Sequence, residues 1–393
     1  ERDFTNENNN LQAGVRNIIR AGNGQLNVLY QYVNTRRSYV DDSTFHNSFA
    51  YYLYDREKYI AHEHFAEVFL VYPFNSLKLT AGADARFSNT DYSAVQKNIY
   101  SPVVQRPGYS GDSIKQKQLG LYTALNYSLR DFHMEAGGRL NHHSEYGGNF
   151  AFNVNPSYLI QRSVKVFANA SSGYKTPSLY QLFSIYGNKN LDPESSLNLE
   201  AGVQLFSKNG NSSLRAVYFN REIKDVLAFV FDASAPAFFR YKNQDRQKDH
   251  GFEIEGVANI SKLQLKTIYT YVTGEITTKQ NGKDTTYFNL LRRPKSTVNF
   301  FTGVQAMRAL YCDIQFNVIG KRSDVYFDPV TFARKDIIMD SYTLLNLYAE
   351  YALLNNRLKI FTDFRNILDK DYSDIYGYNT AGFNAYGGVR FNF

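Results

Sequence analysis

The stretch "LGLYTALNYSL", residues 119–129, puts Leu119, Leu121, Thr123, Leu125, Tyr127 and Leu129 on one side of an extended chain. Gly120, Tyr122, Ala124, Asn126 and Ser128 fall on the other. Side chains alternate across a strand with period two, so the stretch offers one apolar face and one wetter face. A tilted strand crosses the hydrocarbon of a bilayer in about 9 to 11 residues, and this run is long enough. The pattern recurs. Leu197, Leu199, Ala201, Val203 and Leu205 oppose Asn198, Glu200, Gly202 and Gln204, and Phe252, Ile254, Gly256, Ala258 and Ile260 oppose Glu253, Glu255 and Asn259. Leu358, Ile360, Thr362 and Phe364 oppose Lys359, Asp363 and Arg365. No stretch of comparable length shows a 3.6-residue period, so the fold is read as all-β.

Extended along the chain, this reading predicts seventeen strands between residues 10 and 393, among them one over 308–326 and a last one over 383–393. Tight turns such as "AGNG" (21–24), "PFNS" (73–76), "QRS" (161–163) and "LNN" (354–356) follow the odd strands. Long, polar, aromatic-dotted loops follow most even ones, at 42–57, 93–113, 175–192, 280–292, 327–339 and 368–382. Short turns on one rim and long loops on the other are expected of an antiparallel transmembrane barrel. A soluble sandwich alternates too, but its strands average about five or six residues. No repeat of fixed period supports a propeller or solenoid.

Composition agrees. Tyr (32) and Phe (30) are abundant, Trp is absent, Pro numbers 9, and charged residues make up 21%. That is too aromatic for disorder. No apolar run approaches the 18 or so residues of a membrane-spanning helix, whereas strand alternation keeps mean hydropathy low. A single cysteine, Cys312, excludes an intramolecular disulfide and a cysteine-built metal site. The net charge of +7 is spread along the chain without a basic cluster, which argues against a nucleic-acid partner. The opening "ERDFTNENNN" has neither the basic start nor the apolar stretch of a signal peptide, so earlier residues are expected to have been removed.

The chain ends in "FNAYGGVRFNF" (383–393), with Phe383, Val389, Phe391 and Phe393 on one face. In a barrel, these residues would face lipid, with Phe391 and Phe393 in an interfacial aromatic girdle. An odd strand count would make the first and last strands parallel neighbours, whereas single-chain bacterial barrels have even numbers. Further strands are therefore expected on the N-terminal side.

"SSGYKTPSLYQLF" (171–183), followed by "GNKNLDPESSLNLEAGVQL" (187–205), resembles the mid-barrel stretch of TonB-dependent outer-membrane transporters. "HGFEIEGVANI" (250–260) is similar to that family's Gly-x-Glu-x-Glu strand. "RRPKSTVNF" (292–300), "LDKDY" (368–372) and "YGYNTAG" (376–382) resemble its vitamin B12 branch. The resemblance implies a 22-strand barrel, an N-terminal plug and a box that couples to the TonB complex. On that basis residues 1–393 are the barrel domain, and the plug, the box and about five strands are absent. It implies an outer-membrane location, import of cobalamin or a related corrinoid, and a surface lipoprotein as a further partner. A ferric siderophore is the alternative ligand within the family; a passive porin or surface adhesin is the alternative outside it.

Ligand contact is expected on the long loops, at Tyr180, Phe183, Tyr186, Tyr287, Phe288, Tyr326, Phe327, Tyr376, Tyr378 and Asn379, where flat apolar faces stand beside amides. For any single one of these, an aromatic girdle at the outer interface is the better reading. Pro177 and Pro193 are read as ending strand pairing, and Lys175, Glu194, Glu200, Glu253 and Glu255 as a lumenal charge network. "DKDYSD" (369–374) lacks the spacing of a calcium loop. His62 and His64 share a strand face and His142 adjoins His143, and no third metal ligand is identifiable. No metal site, cofactor or catalytic group is expected, and hence no enzyme.

Overall fold

The structure, a computed structural model, describes residues 4–41, 52–98, 103–232, 234–235, 239–280, 283–288, 291–328 and 334–392. The chain opens with β1 (Phe4–Ala21), β2 (Gly24–Asp41), β3 (Tyr52–Phe74) and β4 (Leu77–Asn98), then a two-residue strand, β5 (Gly108–Tyr109). Next come β6 (Lys115–Leu129), β7 (Phe132–His143), β8 (Gly147–Ile160) and β9 (Val164–Lys175), a single helical turn α1 (Leu179–Phe183), and β10 (Glu194–Phe206). β11 (Ser212–Phe231), β12 (Phe239–Ile260) and β13 (Leu263–Gln280) precede the short β14 (Lys283–Phe288). β15 (Ser296–Gln305), β16 (Leu310–Ile319), β17 (Arg322–Phe327), β18 (Arg334–Met339), β19 (Tyr342–Leu353), β20 (Leu358–Arg365) and β21 (Asn384–Phe391) complete it.

Seventeen of these strands form one antiparallel meander in which each pairs with its neighbours in sequence, β4 passing to β6, β13 to β15 and β16 to β19. The seventeen expected strands are thus all present. Among the described residues β1 pairs only with β2, and β21 only with β20. Hairpin chemistry sets the short-turn rim: Gly22, Asn75, Arg130 and Ser261 each take a positive φ of 42° to 59° in two-residue turns. That geometry matches the right-handed strand twist.

Polarity is inverted relative to a water-soluble domain. On the outer face Leu121 is 61% exposed, and Leu199 and Ile360 are each 47% exposed. The inner face holds Asp249 at 0% and Asp313 at 6%. Burying a charge costs heavily unless it is partnered; Asp313 accepts from Gln315 Nε2 at 3.2 Å, and Asp249 meets a cation. Arg139 grips Asp84 with two bonds of 2.6 and 2.9 Å, Tyr122 donates to Glu67 at 2.7 Å, and Lys359 donates to Glu350 at 2.6 Å. Arg221 closes on Asp249 in the same forked manner. Lys175 meets Glu194 at 2.8 Å and Glu255 meets Lys266 at 3.4 Å.

The expected strand over 308–326 is corrected. β16 stops at Ile319, and residues 322–327 turn away to pair with β18 in a separate two-stranded hairpin. Gly320 permits the exit: a Cβ there would stand 2.7 Å from the Ser296 carbonyl oxygen. Several expected loops also shorten, because β3 begins at Tyr52 and β4 continues to Asn98. Residues 283–288 pair with β13 as β14.

Candidate functional site

Two groups of aromatic side chains stand on the long-loop rim. The first is organised by α1. Ser178 caps it: the Gln181 N–H donates to Ser178 Oγ at 3.2 Å, and the Ser178 N–H donates to Gln181 Oε1 at 2.9 Å. This reciprocal cap satisfies two amides that a free helix end leaves bare. The following loop is stapled to β12. Tyr241 N donates to the Tyr186 carbonyl at 3.0 Å, Asn188 Nδ2 to the Tyr241 carbonyl at 3.1 Å, and Asn243 and Asp192 exchange two bonds of 2.9 Å. Leu182 and Leu191 are buried beneath.

The staples hold Tyr180 over the lumen. Its ring lies 5.9 Å from Tyr59 of β3 and 6.4 Å, edge on, from Tyr241 of β12. Tyr59 stacks on Tyr92 at 4.7 Å, and both hydroxyls donate to Glu57 at 3.1 Å. Arg37, Tyr39, Tyr59, Tyr92, Tyr180 and Phe183 line a cavity of about 250 Å³. Burial, then the neighbouring Tyr241 and Glu57, pushes the Tyr180 phenol up to about 12, so it is neutral and available as a donor. Tyr186 packs edge on against Phe229 at 5.2 Å in the same group.

The second group surrounds Asp324, which is 0% exposed. Its carboxylate accepts from Arg292 Nε at 2.9 Å, Tyr376 N at 2.8 Å and Val325 N at 2.8 Å. Burial alone would raise this group, but the three donors outweigh it and hold it below the usual carboxylate range. Beside it, Tyr326 and Tyr376 lie 4.6 Å apart. Arg322, also buried, donates to the carbonyls of Asp340 and Ser373 and lies 5.0 Å over Tyr342, whose hydroxyl donates to Asp374 at 2.7 Å. A cavity of about 660 Å³ opens here, with Arg293, Lys295, Lys321 and Arg322 against Asp324 and Asp336.

The structure therefore gathers Tyr180, Phe183 and Tyr186 into one group and Tyr326 and Tyr376 into another. Tyr287 and Phe288 pair with Ile276 and Glu275 on the same rim, and Phe327 pairs with Arg334 in the hairpin. Tyr378, 69% exposed, and Asn379, also exposed, stand apart on the turn at Gly377. On the last strand Val389 and Phe391 face outward, 66% and 49% exposed; Phe383 precedes it at 51%, and Phe393 lies outside the described residues. Tyr59, Tyr92, Tyr241, Arg322 and Asp324 were not anticipated. Each sits inside or just past a strand pattern, and nothing local says that they converge. The capping box Ser178-x-x-Gln181 was a legible signal for α1. Among the described residues no group of His, Cys, Asp or Glu could hold a metal ion.

The fold is shared with solved outer-membrane receptors. A pyoverdine receptor of Pseudomonas aeruginosa bound to ferric pyoverdine superposes with a TM-score of 0.73 at 17% identity, over 98% of this chain and 56% of that one. The ferric enterobactin receptor of the same species gives 0.74 at 16%, over 98% and 62%. The copper transporter OprC gives 0.76 at 13%, over 98% and 66%. The chain thus spans less than two thirds of each. The family model described as TonB dependent receptor-like, beta-barrel matches residues 1–367. Its members are receptors and transporters, and the chain belongs to this TonB-dependent receptor family as a β-barrel of the Gram-negative outer membrane.

Proposed function

We propose that this chain forms the barrel of an active importer that captures a large, scarce metal chelate on its extracellular rim and takes it in with energy from TonB. A ferric siderophore is the best-supported ligand. The observation carrying this is the mixed chemistry of the rim: stacked phenols around Tyr180 and, in a separate group, a cavity where four cations face two carboxylates. Aromatic, anionic iron chelates suit such a surface, since flat rings stack on phenols and guanidinium groups fork onto paired oxygens. The structural relatives that bind ferric pyoverdine and ferric enterobactin support the same choice. The corrinoid reading rests on "LDKDY" and "YGYNTAG", whose Tyr376 packs 4.6 Å from Tyr326 in a second aromatic group.

The test is uptake by cells expressing the complete gene product, comparing ferric enterobactin, ferric pyoverdine and labelled cobalamin, with and without TonB. The expected result is TonB-dependent uptake of a ferric chelate. Cobalamin uptake without chelate uptake would overturn the choice of ligand, and TonB-independent passage of all three would overturn the import reading.

A further inference from the structure

At the long-loop end of β2, β3 and β4 the inner face gathers negative charge without a counterion. Asp41 of β2 stands directly opposite Asp55 of β3, and Glu57 is the next inward residue after Asp55. Like charges opposed across a sheet destabilise it. Among the described residues no Lys, Arg or His forms an ion pair with any of the three. Asp55 Oδ1 is buried and has no hydrogen-bond partner. Such an arrangement is costly unless a cation joins it.

The neighbouring side chains select the cation. Tyr59, the next inward residue of β3, lies opposite Tyr92 of β4, and the two rings stack at 4.7 Å. The Tyr59 hydroxyl donates to Glu57 Oε2 and the Tyr92 hydroxyl to Oε1, each at 3.1 Å, so one carboxylate takes a phenol on either oxygen. Ligand oxygens about 2.0 to 2.1 Å from a small octahedral cation stand about 2.9 Å apart at adjacent corners, close to this spacing. The carboxylates alone form no metal site; the phenols complete it. With Asp55 the donors are hard oxygens throughout, without the imidazole or thiolate that suits zinc and copper. Calcium and magnesium do not take the proton from a phenol at neutral pH. A ferric ion does, because its charge inverts the acidity of the groups that bind it.

Tyr92 is 6% exposed, and Tyr180 covers the pair from 5.9 Å away. The cavity of about 250 Å³ that these rings line leads in from the rim, and Arg37 in its wall offsets the excess negative charge of four anionic oxygens around a trivalent ion.

We infer that Asp55, Glu57, Tyr59 and Tyr92 form a binding site for a bare ferric ion, delivered by exchange from a weak chelate. Loading is coordination without electron transfer. The iron stays ferric, each phenol O–H gives its proton to water as its Fe–O bond forms, and the chelator leaves with its own oxygens freed. The inference rests on the reading of this rim as the face that meets iron chelates and goes beyond it, since here the chain holds the metal itself.

The experiment adds ferric nitrilotriacetate to the complete protein in detergent. Two signals are read: the iron retained per barrel after desalting, and the visible charge-transfer absorption of phenolate bound to ferric iron. The wild-type protein should retain a single iron and become coloured, less so as pH falls, because binding releases the phenol protons. The variant carrying Tyr59→Phe and Tyr92→Phe should lose the colour and the iron, and Glu57→Gln should bind about 10- to 100-fold more weakly. Tyr158→Phe, on the outer face near the short-turn rim, should behave as the wild type, and heat-modifiable gel migration verifies that each variant is a folded barrel. A wild-type protein without colour, or full colour in the double variant, would overturn the site. Chelate uptake by a colourless protein would leave the import reading standing, whereas colour in a protein that imports no chelate would overturn only that reading.

Discussion

At the scale of single residues, the buried Asp324 carries the clearest consequence. Its three donors tie the β17–β18 hairpin, Arg292 and the Tyr376 turn into one node. Replacing it by Ala leaves those donors unpaired, at a local cost of about 1 to 3 kcal/mol. Hydrogen exchange should then rise across residues 322–327 and 334–339 while the barrel melts unchanged. The carboxylate is depressed in the folded state, so its contribution is fully present above the ordinary carboxylate value near 4 and is lost as pH falls through the lower folded value. Limited proteolysis of the hairpin should therefore be flat from pH 8 to about 5 and rise only under stronger acid. Tyr180 is the counterpart in the other group: Tyr180→Ala should weaken chelate binding by roughly tenfold without lowering barrel stability, read by titration of the purified protein. Its place on the long-loop rim was legible, because it lies in a long connection between two strongly patterned strands. That it meets Tyr59 was not, since the six strands β4 to β9 lie between them in sequence and only the rolling of the sheet brings them together.

Among the elements, strands were read well because each long one repeats its period many times. β6 shows five apolar side chains at alternate positions, interrupted only by Thr123, and neighbours confirm the phase. α1 escaped because five residues hold little more than one helical turn and no period can be seen in it. Its stability comes from the cap: Ser178→Ala should cost about 1 kcal/mol and raise amide exchange over 179–183. The merged strand at 308–326 failed for another reason. Residues on both sides of Gly320 are extended, and alternation does not reveal that a strand has left its sheet. Gly251 in β12 shows the opposite, a local rule imposed by the neighbouring strand. A Cβ there would stand 2.0 Å from the Tyr271 carbonyl oxygen, so Gly251→Ala should force β12 from β13 at a cost of about 1 to 3 kcal/mol, measured by urea titration in detergent.

For the whole molecule, the outward face sets tolerance to change. Leu125→Arg places a charge in the middle of the belt and should cost about 2 to 4 kcal/mol on refolding into lipid vesicles, whereas the lumenal Asn126→Arg should change little. The inversion of polarity was visible in the alternation itself. The cation-lined cavity was not, because Arg293, Lys295, Lys321 and Arg322 come from two connections that the chain brings together only after β16 has ended. The same inversion governs how such a polypeptide reaches its destination. In water, ordinary collapse would turn the greasy side inward and the ion pairs outward, the reverse of the finished wall. No aqueous compartment offers this chain a native minimum, so during transit it has to be escorted in an unfolded form, and it acquires its shape only on arrival in fat.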